Sequence, residues 1–195
     1  MGKRNRASWA GAGRVHAVWL VAGLNLFVAG LIVGFRLHDH QALGRSAFPA
    51  RCVNVVDGDT LDVVWMYGTN RVRVAGVDAP ETRGTRKLRE QADALGLREE
   101  SMQRIGQNAT RMAKQLLLDR EVVLVFPRGE VERDTFGRLL TYIEVNGEDF
   151  GAFLLANGLA ETRPEPHPRQ RAYQQLQREA ARQGRGLFAW QPGGN

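Results

Sequence analysis

Cysteine is almost absent from this 195-residue chain, which holds Cys52 alone. An intrachain disulfide is therefore excluded, and the cysteine count favours neither an oxidising nor a reducing compartment. Cys52 reads as a small buried strand residue, because no basic partner that would make it a nucleophile can be placed beside it. Nor does it suit a lipoprotein, since Arg51 stands where a small residue is expected. No internal repeat or low-complexity tract appears. What the C-terminal part lacks is net charge. Of the formal +6, residues 1–50 supply most, with six Lys and Arg against one acid, and the remainder holds 21 basic against 20 acidic residues. Overall basicity is thus no argument for nucleic-acid binding, and attraction for phosphate has to come from individually placed arginines.

Acids, lysine and arginine are all missing from Val15 to Phe35. As a helix rising about 1.5 Å per residue, that run covers roughly the 30 Å of a bilayer's hydrocarbon core. Lys3, Arg4, Arg6 and Arg14 precede it, which favours a cytoplasmic N-terminus and an extracytoplasmic remainder. The expectation is a basic tail over 1–14, a transmembrane signal anchor over 15–35, a linker over 36–50 and a folded domain over 51–192. Cleavage of the anchor would make the protein secreted. His38 and His40 fall in the linker without the further ligands that a metal site needs.

The chemistry is concentrated between Val55 and Glu81. Asp57 and Asp59 flank Gly58 at one end, Asp78 and Glu81 bracket Ala79 and Pro80 at the other, and two β-rich runs lie between. Leu61–Tyr67 and Arg71–Val77 read as a hairpin across Gly68, Thr69 and Asn70. A loop of Gly68 and Thr69 pairs Tyr67 with Asn70, and the same register carried outward sets Asp59 opposite Asp78. Strict alternation would put Arg73 and Asp78 on opposite faces. Either the strand ends before Asp78 or Gly76 forms a bulge.

Around this hairpin the pattern predicts a first strand at about Arg51–Val56 and a solvated, mobile charged segment over Arg83–Arg104. A packed helix follows over Ile105–Leu118, then strands over Glu121–Phe126 and Arg138–Val145. Helices are expected over Phe150–Asn157 and from Pro168 to Gln183. That makes an α+β chain: a five-stranded OB-fold β-barrel with about three helices, preceded by one transmembrane helix.

Oxygen ligands such as Asp59 and Asp78 suit a hard cation, Ca²⁺ or Mg²⁺. Arginine forks suit phosphate oxygens, and a nearby carboxylate such as Glu81 can position or deprotonate a water. The DGDT of Asp57–Thr60, Arg73 ahead of the VDAPE of Val77–Glu81, and the DTFGR of Asp134–Arg138 occur in that order. With LLANGLA at Leu154–Ala160 and GLFA at Gly186–Ala189, they resemble the staphylococcal nuclease (thermonuclease) family over about Cys52 to Trp190.

The resemblance implies an OB-fold nuclease that binds Ca²⁺ and cleaves DNA and RNA to 5′-hydroxyl and 3′-phosphate ends. It implies metal binding by the Asp59 and Asp78 side chains and the Ala79 carbonyl. Arg73 and Arg138 would grip the scissile phosphate, Glu81 would act on the attacking water, and Asp57 would support them. A monomer with no protein partner is expected, with the membrane engaged through residues 15–35. Phe136 stands where the family often has tyrosine, and the stretch from Glu161 to Arg171, which carries stacking tyrosines in the founding member, has no aromatic residue. The alternative reading is a catalytically silent OB-fold module that binds nucleic acid or protein. The presence of all five of Asp59, Arg73, Asp78, Glu81 and Arg138 favours the enzyme.

Overall fold

The computed structural model describes residues 47–189. The expected transmembrane run lies outside them, and among the described residues no helix is long and apolar enough to cross a membrane. Strand β1 spans Ala47–Val55, so the first strand begins four residues earlier than expected, and the last residues assigned to the linker are already paired in the sheet. Its neighbours are β2 (Thr60–Trp65) and β5 (Glu121–Val125), both antiparallel. Strand β3 (Gly68–Val74) pairs with β2, and β6 (Leu139–Val145) pairs with β5. A parallel ladder between β3 and β6, Val72↔Leu139 to Val74↔Thr141, then joins the two ends. The parallel ladder closes the five strands into a barrel.

Alternation fills the barrel. Leu61, Val63 and Trp65 of β2 are buried while Val64 between them is exposed. From the other strands, Cys52, Val72, Val74, Leu124, Leu139 and Ile143 are buried with them. Each such aliphatic side chain contributes roughly 1.5–3 kcal/mol relative to an exposed position. Cys52 is the inert strand residue expected, its thiol pushed up to about 11 by burial.

The hairpin differs from its expected register. The connection is Met66–Tyr67, with Trp65 opposite Gly68 and Thr60 opposite Arg73. Trp65 meets Phe48 at 5.7 Å and Phe126 at 5.6 Å between ring centroids, and these rings close that end of the barrel. The chain reverses two residues earlier than expected, with Tyr67 fully exposed and Met66 at φ 54°.

Four α-helices are described where three were expected. The extra one is α1 (Arg86–Leu95), in the segment expected to be mobile. Thr85 caps it by accepting from Leu88 N, and Gly96 at φ 64° ends it. Helix α2 (Glu99–Leu117) buries Met102, Gly106, Ala109, Ala113 and Leu117 at helical spacing. Leu88 and Ala92 of α1 pack with Met102 and with Leu187 near the C-terminal end, forming a small core beside the barrel.

Short strand β7 (Glu148–Asp149) leads into α3 (Phe150–Ala156), and β8 (Glu161–Thr162) precedes α4 (Gln170–Arg182). Arg169 ties this end to the barrel. Its guanidinium donates to Glu144 and Asp149 at 2.6 Å each and lies 4.2 Å over the Tyr142 ring. His167 sits beside it with Nδ1 2.9 Å from the Tyr142 hydroxyl, while its buried Nε2 has no hydrogen-bond partner. The Tyr142 oxygen also accepts from Arg169 N at 3.4 Å.

Burial, helped by nearby Arg169 and opposed by Asp149 and Glu165, holds the His167 pKa below its ordinary 6.5. Below pH 6.5 the unfolded chain therefore binds a proton that the native protein resists, and this contribution to stability is lost as pH falls from that value through the lower native pKa. Melting the wild type and His167→Gln between pH 7.5 and 5 checks this. Wild-type Tm should fall more steeply than that of the variant; parallel curves would remove His167 from the acid response.

Candidate active site

The DGDT turn is fixed by its own side chain, with Asp57 Oδ1 accepting from Asp59 N at 3.1 Å. Gly58 lets it lie flat against the protein, because a Cβ there would come within 2.8 Å of the methyls of Ala79 and Ala109. Asp59, just before β2, then has its carboxylate turned inward with only 2% of the residue exposed. Oδ1 accepts from Thr60 Oγ1 and from Arg73 Nη1, each at 3.0 Å, and Oδ2 accepts from Ala79 N at 2.7 Å.

Asp78 reaches the same place by another route. In the observed register it is Val74, not Asp78, that faces Asp59, with Val74 N donating to Asp59 O at 2.9 Å. Strand β3 ends there, Gly76 turns the chain at φ 78°, and β4 (Val77–Asp78) starts afresh against β8. The first of the two expected breaks in alternation is the one found. Asp78 accepts from Arg73 Nη2, so one buried guanidinium joins both aspartates.

Burial pushes the Asp59 carboxyl up to about 6, with Arg73 pulling the other way and Asp57 and Asp78 adding to the rise. Burial would lower the Arg73 pKa, but the surrounding carboxylates more than offset it and the guanidinium stays charged. Arg73 serves Asp57, Asp59 and Asp78, and Lys87 adds a second cation at Asp78 and Glu81. The surplus is negative, and the donors are all oxygen.

Glu81 and Arg138 complete the expected set at the rim. Arg73, Asp57, Glu81 and Arg138 all line one open cleft of about 710 Å³. Arg138 is held by Asp134, which accepts from its Nε at 2.6 Å, and its guanidinium lies 5.2 Å from the ring of Phe136. Phe136 is 82% exposed. Both residues also border a neighbouring depression of about 430 Å³, which includes Arg71. The proline-rich stretch forms part of the cleft wall through Arg163, Glu165 and His167.

Helix α2 seats the 78–81 segment from behind: a Cβ on Gly106 would lie 2.5 Å from Pro80 O and 2.7 Å from Glu81 O. Two residues of the site were not anticipated from the sequence, Lys87 and Gln91 of α1. Lys87 Nζ donates to Glu81 at 2.8 Å, and Gln91 donates to Asp78 at 3.1 Å while accepting from Glu81 N at 3.3 Å. The available signal was Thr85 before Leu88, Ala92 and Leu95, closed by Gly96. No group of three or more His, Cys, Asp or Glu side chains able to hold a metal occurs among the described residues. The candidate donors are therefore two carboxylates and the Ala79 carbonyl, which faces Gln91 Nε2 at 3.5 Å.

Residues 71–190 match the family described as staphylococcal nuclease homologue. The chain belongs to this family. The match begins after the DGDT turn, so Asp57 and Asp59 lie outside it and are tied to the nuclease segment by the contacts of Arg73 and Ala79. Among curated relatives, endonuclease YncB of Bacillus subtilis is 32% identical over 105 residues, covering 54% of this chain and 43% of its own length. The SPbeta prophage-derived endonuclease YokF of the same organism is also 32% identical over 105 residues, 54% of this chain and 31% of its own. This chain thus spans less than half of those two Bacillus proteins. An uncharacterized endonuclease of Escherichia coli is 28% identical over 140 residues, 71% of this chain and 76% of its own. Family membership and the closed barrel agree on the nuclease fold.

Proposed function

We propose that this protein is a Ca²⁺-dependent endonuclease that hydrolyses DNA or RNA to 5′-hydroxyl and 3′-phosphate ends, tethered by residues 15–35 with its N-terminus cytoplasmic and its nuclease domain outside. The observation that carries the catalytic part is the convergence of Asp59 and Asp78 on Arg73, with Glu81 and Arg138 on the same cleft. Membership of the nuclease family and the endonuclease names of its relatives support it.

The residues fit a hard cation. Asp59, Asp78 and the Ala79 carbonyl offer only oxygen, which suits a hard cation. Bound there, the ion would supply charge to offset the developing phosphoryl negative charge. The chain's own residues do the rest. Arg138, aimed by Asp134, meets a phosphate oxygen, and Arg73 exchanges part of its carboxylate bonding for the substrate. Glu81 holds the attacking water and accepts its proton. Phe136 offers an exposed ring beside Arg138 for a base.

Cleavage of single-stranded DNA, duplex DNA and RNA, with Ca²⁺ or with chelator, checks this directly. Wild type should cut only with the ion and leave 3′-phosphates, and Glu81→Gln should keep the fold while losing about 10²–10⁴-fold in rate. A folded wild type that binds nucleic acid yet never cuts would favour the silent module instead.

A second measurement needs no turnover. Removing Arg73 leaves the buried Asp59 facing Asp78 without its cation, and losing one partner of a buried pair costs about 3–5 kcal/mol. Arg73→Ala should melt well below wild type in chelator and recover more than wild type on adding Ca²⁺. Equal calcium shifts in the two proteins would remove these carboxylates from the cation site.

For the topology, a reporter active only outside the cytoplasm, fused after residue 50, should be active. A silent reporter beside an active cytoplasmic one at the same junction reverses the orientation.

A further inference from the structure

Helix α1 places Lys87 and Gln91, four residues apart and so on one face, against a segment to which neither belongs. Lys87 Nζ lies 2.8 Å from Glu81 Oε1 and 3.1 Å from Asp78 Oδ1, and thus bridges the two carboxylates. Gln91 holds the other Asp78 oxygen at 3.1 Å, the Glu81 N–H at 3.3 Å and the Ala79 carbonyl at 3.5 Å. Every chemistry-bearing residue from 78 to 81 is therefore touched by this one helical face.

The helix itself is anchored. Leu88 and Ala92 are buried against Met102 and Leu187, Thr85 caps its start, and Gly96 ends it. Lys87 is delivered to a fixed place, and its side chain is 42% exposed, less than half that of Arg86 beside it at 89%.

We propose that Lys87 is a positioning residue of this site, a tethered cation that aligns Glu81 against Asp78 while opposing the divalent cation that Asp78 would share. The inference rests on the nuclease reading. Its two consequences run in opposite directions. Taking away the charge relieves repulsion and tightens cation binding, whereas taking away the bridge frees the Glu81 carboxylate and slows turnover. A side chain that merely stabilised the fold would move neither in this pattern.

The test compares the full-length wild type with Lys87→Met, Lys87→Gln, Lys87→Arg and Arg86→Met. Cation affinity is read by terbium luminescence with Ca²⁺ competition, and kcat and KM by cleavage of a single-stranded DNA oligonucleotide at saturating Ca²⁺. Lys87→Met and Lys87→Gln should each bind terbium about tenfold more tightly, the scale expected for one half-exposed neighbouring charge. Their kcat should fall at least about tenfold with KM within about threefold. Lys87→Arg should recover most of kcat, and Arg86→Met, the same charge change on a side chain pointing away, should change neither. Terbium affinity that is unchanged or weaker in both neutral variants, or an unaltered kcat, overturns the proposal. A wild type that does not cleave would instead sink the nuclease reading, and the terbium comparison would still report on Lys87.

Discussion

One guanidinium organises this protein's site. Buried Arg73 donates to two aspartates from different segments, the buried Asp59 and the partly exposed Asp78. Burying ions in a protein interior is costly unless geometry and hydrogen bonding compensate. Here the compensation is incomplete, because burial and the neighbouring acids keep Asp59 well above the ordinary carboxylate range despite the arginine. A site holding surplus negative charge at low dielectric attracts cations, and two such cations are built into the chain, Arg73 from the barrel and Lys87 from α1. In the proposed calcium site, this surplus of negative charge is what an ion would offset.

The barrel's role is to hold that imbalance still. Arg73 stands on β3, the strand that pairs on one side with β2, which Asp59 immediately precedes, and on the other with β6, which follows Arg138 directly. Asp78 is set by a separate two-stranded ladder with β8, in which it faces Glu161. Helix α2 supports both acidic segments from behind through small residues, Gly106 against Pro80 and Ala109 against Gly58. Bulk at either position would move a backbone that carries the site, which is why the helix presents so little side chain there.

Much of this was legible from residues alone, and the exceptions have physical causes. The five strands follow from β-rich runs between turn formers, and Asp59, Arg73, Asp78, Glu81 and Arg138 stand out as acids and arginines in three ordered motifs. The hairpin register was misread because Gly68, Thr69 and Asn70 are the better local turn, while the packing of Trp65 on Phe48 and Phe126 is a contact between distant segments. Arg83–Arg104 was misread as mobile because α1 buries only Leu88 and Ala92, too few apolar residues to stand out among charges of both signs. The part of Lys87 could not be read for the same reason. Its partners are near in sequence, yet it reaches them only once α1 has formed and packed against Leu187 near the other end of the domain.

The parallel seam between β3 and β6 also orders events in time. A chain emerging from a ribosome or a translocation channel has presented DGDT and VDAPE long before Leu139–Val145 arrive to close the barrel, and Glu161–Thr162 come later still to back Asp78. Until then Arg138 has no fixed relation to Arg73, and the cleft they share does not exist. The candidate site is therefore complete only when the last third of the domain is in place.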